Sequence, residues 1–152
     1  MPWAGSRRLV VMVILVSVVS STVALVWAFS TWPTIDQGVY GVVTLAEGDC
    51  MPVAPPFCEK RSAVSRTIWV REPVPGGVLS DPSILGSYPL VVQTVSGWTG
   101  FYQLRLPPGE YSIFVADGDS PYCRVVVDDT ACPLSVGTGV SRYDILISHV
   151  TM

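Results

Sequence analysis

A chain of 152 residues that is 49% hydrophobic, with thirteen glycines, thirteen prolines and a mean hydropathy of +0.47, has room for one domain, and its punctuation suits short strands joined by turns better than helices. The net charge of −3 divides unevenly: Arg7 and Arg8 precede an apolar block, and the other seven basic residues share the remainder with all twelve acidic ones, a balance of −5. Such an acidic remainder excludes a phosphate-neutralising nucleic-acid binder and offers no polybasic stripe to anionic lipid.

Residues 9–29, LVVMVILVSVVSSTVALVWAF, carry no charge. As a helix they would extend roughly 31 Å, close to the hydrocarbon thickness of a bilayer. Arg7 and Arg8 before the block, and Asp36 and Glu47 beyond it, put a tail at 1–8 in the cytoplasm and the rest of the chain outside. Trp27 and Trp32 fall where an outer aromatic belt belongs. The alternative is a cleaved signal peptide: Val26-Trp27-Ala28 loosely meets the small-residue rule, although the block exceeds a usual h-region. Both readings export a domain at 38–152 behind a linker at 30–37. The first gives a single-pass cell-membrane protein with its C-terminal domain outside, the second a secreted one.

The exported part reads as strands in order. Residues 38–45 (GVYGVVTL) form the first, with Val39, Val43 and Leu45 on one face, and 47–56 is a Pro-rich loop. Residues 65–72 form the second, Ile68 and Val70 facing inward and Trp69 either exposed or part of a second cluster. The stretch 73–89, with four prolines and three glycines, is a long loop, the kind that is functional or disordered. Residues 90–95 form a third strand. The organising stretch is 98–117, WTGFYQLRLPPGEYSIFVAD, where Tyr102, Leu104 and Leu106 alternate before Pro107-Pro108-Gly109, and Tyr111, Ile113 and Val115 alternate after it. That pattern predicts a hairpin with one buried face. Short strands at 122–128 and 134–136 follow, and 142–150 closes the chain with Tyr143, Ile145 and Ile147 alternating. The whole predicts an all-β fold, an antiparallel sandwich of seven or eight strands after one N-terminal helix.

Cys50, Cys58, Cys123 and Cys132 all follow the apolar block. An even count in an oxidising compartment predicts two disulfides. Of the three connectivities, Cys50–Cys58 with Cys123–Cys132 is favoured, because each pair closes a short polar or Pro-rich loop. Crossed pairing stays open if both loops meet at one end of the sandwich. The competing reading is four thiolates around zinc, and seven and eight intervening residues lack the short knuckles of zinc sites.

The first strand, the TGFYQLRLPPGEYSIFVAD block and the last short strand together resemble transthyretin-like domains, most closely the carboxypeptidase regulatory-like type. The residues that carry the resemblance are Gly100, Phe101, Pro108, Gly109 and Tyr111, and it spans roughly 38–149. It implies a β-sandwich used as an accessory or adhesive module. The four cysteines and the 73–89 loop depart from it. His149 is the only histidine, so the HxxE zinc-protease motif is absent, and the chain ends SHVTM where the family's hydroxyisourate hydrolases carry a YRGS-type tail. Lys60 is the only lysine and asparagine is absent, which removes the Lys–Asn isopeptide cross-link and N-linked glycosylation.

Chemistry is sparse. A serine hydrolase needs a base, and His149 offers one without a G-x-S-x-G elbow. Asp117, Asp119, Asp128 and Asp129 are candidate calcium ligands on acidic loops, with turn-forming Asp-Gly the plainer explanation. Trp69, Trp98, Phe101 and Tyr102 offer aromatic surface or core. The candidate recognition surface is Trp69, Trp98, Pro75, Leu79 and Tyr88, combining exposed aromatics with the long loop. The expectation is a non-enzymatic surface or envelope module with no cofactor, which binds an extracytoplasmic protein or polysaccharide through loops. The alternative is a module that binds calcium or a small molecule through its acidic loops.

Overall fold

The computed structural model describes residues 33–50 and 58–151. The expected anchor or signal at 9–29 lies outside them, as does most of the first cysteine loop. Among the described residues no helix is long and apolar enough to cross a membrane.

Strand β1 (Gly38–Asp49) is the axis of the first sheet. Its residues Val39, Val43 and Leu45 are buried, as their alternation predicts. One side of β1 pairs antiparallel with β2 (Lys60–Ala63) and β5 (Phe101–Leu104). The other side pairs parallel with β11 (Val140–Arg142) and β12 (Ile145–Thr151). A wholly antiparallel sandwich is therefore the wrong expectation. β1 and the closing strands come from opposite ends of the domain, so no hairpin dictates their relative direction.

The second sheet is antiparallel throughout. Its order is β4 (Leu90–Val95), β3 (Thr67–Arg71) and β6 (Gly109–Asp117), and the far side of β6 is shared by β7 (Ser120–Tyr122) and β10 (Pro133–Val136). β8 (Val126–Val127) and β9 (Thr130–Ala131) form a separate ribbon. Among the described residues twelve strand segments appear where seven or eight strands were expected, because two short strands fill one flank where one long strand would serve.

The 98–117 block is not a hairpin. β5 belongs to the first sheet and β6 to the second, so Pro107-Pro108 carries the chain from one layer to the other. The Tyr111 hydroxyl donates to the Pro107 carbonyl at 3.1 Å across this arch. Alternation reports which face is buried, and that part holds: Tyr102, Leu104 and Leu106 meet Ile113 and Val115 in the inter-sheet core. It does not report which strand takes the hydrogen bonds, and two successive prolines supply no N–H to start a ladder.

β6 is buried on both faces, with Ser112, Ile113, Phe114 and Val115 all inaccessible. Its outer face is roofed by the 73–89 loop, which folds into two 3₁₀ helices, Gly76–Ser80 and Pro82–Ser87. Asp81 caps the second, accepting from the Ser83 N–H at 3.2 Å and from its hydroxyl at 2.5 Å. Val74, Val78 and Leu85 thereby seat on Phe114, with Trp69, Leu79 and Tyr88 packed at the margin. The Ser112 hydroxyl accepts from the Val74 N–H at 2.9 Å, which pairs both buried groups.

Both disulfides form in the favoured pairing, with Cα separations of 5.1 Å for Cys50–Cys58 and 5.7 Å for Cys123–Cys132. They fit an oxidising extracellular or secreted setting.

Candidate functional site: a crevice at the open seam

The site forms where the edge of the first sheet meets the edge of the second. Between β11 and β12 the chain leaves the ladder for two residues, Tyr143 and Asp144, and three bonds tie them to β1 and β5. The Tyr143 N–H donates to the Tyr40 carbonyl at 2.8 Å, the Val42 N–H donates to Asp144 Oδ1 at 3.0 Å, and the buried Tyr102 hydroxyl donates to the Tyr143 carbonyl. Gly41 permits this approach, because a Cβ there would lie 1.9 Å from the Tyr143 oxygen. The Arg142 guanidinium forks onto Asp144, with Nε at 3.0 Å and 3.2 Å from its two oxygens. That hydrogen bond and the carboxylate charge raise the pKa of Arg142.

Across the seam, the Tyr122 hydroxyl accepts from the Ser148 N–H at 3.2 Å, and His149 Nε2 lies 2.5 Å from Asp117 Oδ2. These two contacts join β12 to the β6–β7 edge. Beyond them the seam stays open as a crevice of about 200 Å³. Ile113 and Val115 line its interior. Tyr122, Val125 and the Cys123–Cys132 bridge stand on one side and Tyr143, Ile145 and Leu146 on the other, with Arg124 and Asp144 supplying the charge. An apolar cavity of about 150 Å³ admits a benzene-sized molecule, so this crevice fits one aromatic or branched apolar group.

The adjoining ribbon is disulfide-closed and leaves Val125, Val126 and Val127 each 48% exposed. Asp128 and Asp129 turn it with φ of 47° and 60°, and the Gly76 N–H donates to the Asp129 carbonyl at 2.7 Å, tying it to the roof over β6.

The five residues of the expected recognition surface do not converge. Trp69, Leu79 and Tyr88 pack at the margin of the cluster that joins the roof to β6. Pro75 bridges to Thr130, and Trp98, 70% exposed, stands in the turn between β4 and β5. The long loop covers its own sheet, so its aromatic neighbours are packed where presentation was expected. Among the described residues no group of three or more His, Cys, Asp or Glu side chains is placed to hold a metal. His149 has its Asp117 partner, but no serine or threonine hydroxyl completes a triad among the hydrogen bonds of the described residues.

Burial, with the nearby Tyr143 and Asp144, raises the pKa of Tyr102 well above that of a free phenol, and burial alone raises Tyr143. A raised folded-state value stabilises fully below the unfolded value and is lost as pH climbs through the folded one, so stability should fall above about pH 10. Tyr102→Phe removes the donor to the Tyr143 carbonyl and is expected to cost about 1–3 kcal/mol near neutrality. It should also flatten the alkaline decline, with Tyr143 leaving a residual slope. Urea midpoints measured on both sides of about pH 10 check both effects.

Sequence reasoning missed this site, since Tyr102, Tyr143 and Asp144 are brought together only by the parallel closure of β1 and β12. Asp144 falls on the outward phase of the last strand's alternation, so no local signal marked it. Comparison of the chain with family models, with curated proteins and with solved structures returns no match.

Proposed function

We propose that this is a non-enzymatic, extracytoplasmic β-sandwich module of the transthyretin-like, carboxypeptidase regulatory-like type, tethered through residues 9–29 or secreted after their cleavage. Its work is to bind another macromolecule through the loop end at the open seam. One observation carries the reading: an apolar crevice lies directly beside three consecutive exposed valines on a disulfide-pinned ribbon. The crevice receives an apolar side chain of an extracytoplasmic protein, and the valines widen the contact around that anchor. A protein is favoured over a polysaccharide because the lining is apolar and its phenol rings stand half-buried in the walls. Calcium binding by the acidic loops has no observation in its favour, since Asp117 is taken by His149 and the remaining acidic turns gather no ligand set.

The test is site-specific photo-cross-linking with the full chain in its native cell. The photoreactive residue replaces Val126, or, as a control outside the crevice, Glu110 at the start of β6. A discrete protein adduct from position 126 that disappears in an Ile145→Arg background with cooperative melting supports the proposal. Equal adducts from both positions, or none from 126, overturn it.

A further inference from the structure

The second sheet ends on β4, which pairs with β3 alone among the described residues. We infer that this edge is a self-association surface, on which β4 pairs antiparallel with β4 of a second copy to join two sheets into one. This surface is distinct from the crevice and does not depend on the function proposed for it.

Three observations lead there. The first is the phase of the ladder. The Ser96 N–H donates to the Arg66 carbonyl at 2.9 Å, and the register continues with Thr94 opposite Ile68 and Val92 opposite Val70. In an antiparallel ladder alternate residues bond to the same neighbour, so Gln93 and Val95 turn their N–H and C=O groups to the open side. The irregularity in this pairing lies between Val70 and Arg71, opposite Leu90 and Val92, and leaves the 92–96 stretch regular.

The second observation is exposed apolar surface. Leu90, Val91 and Val95 are 47%, 42% and 60% exposed, a large share for one short strand.

The third is charge, and it selects the occupant. Residues 82–104 contain no Asp, Glu, Lys or Arg, so the charged gatekeepers that usually protect an edge strand are missing from this one. A charged partner strand would find no complement here, whereas a second copy brings an equally neutral strand and no like-charge repulsion. A two-fold axis passing beside Thr94 sets Gln93 of each copy opposite Val95 of the other. Both outward-turned residues then exchange backbone hydrogen bonds, and Val95 is covered by the Gln93 stem.

Sedimentation velocity of the oxidised full-length chain over a range of concentrations tests this. Gln93→Lys/Val95→Lys sets like charges opposite each other twice in the paired edge. Gln93→Glu/Val95→Lys sets opposite charges there, and both positions are exposed, so folding is not at stake. The expected result is a reversible dimer for the natural sequence, weakened about tenfold or more by the first pair of substitutions and recovered by the second. A natural chain that stays monomeric throughout overturns the inference. So does equal association of the two variants, which would place self-association elsewhere in the chain.

Discussion

Phe114→Ala is expected to destabilise the domain by about 3–5 kcal/mol, a cost normally associated with the centre of a core. Phe114 points away from the inter-sheet core, onto the outer face of β6, yet it is only 1% exposed because Val74, Val78 and Leu85 cover it. Truncation leaves a void between the sheet and a roof whose 3₁₀ helices are held by Asp81 at their junction and by Ser112 at Val74, so collapse into the space is restricted. Urea unfolding of the variant measures the loss. A cost below about 1 kcal/mol would mean that the 73–89 loop does not pack on the sheet, because an exposed aromatic on an open face contributes little.

Gly41→Ala is expected to cost about 3 kcal/mol or more, large for the addition of one methyl group. The new Cβ would meet a backbone oxygen, that of Tyr143, at 1.9 Å, and a backbone atom cannot swing aside as a side chain can. Relief requires β1 to part from the β11–β12 junction. That breaks the bonds from Tyr102 to Tyr143 and from the Val42 N–H to Asp144, and deforms the crevice wall. Thermal melting reports the destabilisation, and loss of the alkaline sensitivity assigned to Tyr102 would show that the damage is at this junction.

Much of the inter-sheet core was legible in the sequence, because period-two alternation states which side chains share a face. Val39, Val43 and Leu45, Ile68 and Val70, and Ile145 and Ile147 all fall where their spacing puts them. The cysteine pairing was legible too, since short loops are the simplest to close. What alternation cannot encode is the partner of a strand. β5 and β6 read as a hairpin because they are adjacent and similarly patterned, yet they lie in different sheets. β2 was invisible for a related reason: Lys60, Arg61, Ser62 and Ala63 carry no apolar alternation, and they are strand only because β1 offers them a ladder. The roof escaped notice because 3₁₀ helices leave no long periodicity, and proline and glycine read as loop whether the loop packs or projects. The crevice depends on residues far apart in sequence, Tyr122 to Val125 against Tyr143 to Leu146, and no local pattern announces that meeting.

Methyl NMR of the full-length chain titrated with indole, a small aromatic probe, tests the binding role of the seam most directly. The expected result is saturable shifts confined to the methyl groups of Ile113, Val115, Val125 and Ile145, with those of Val78, Leu79 and Leu85 in the roof unmoved. Shifts centred on the roof residues, or no saturable shift at the crevice, would contradict it.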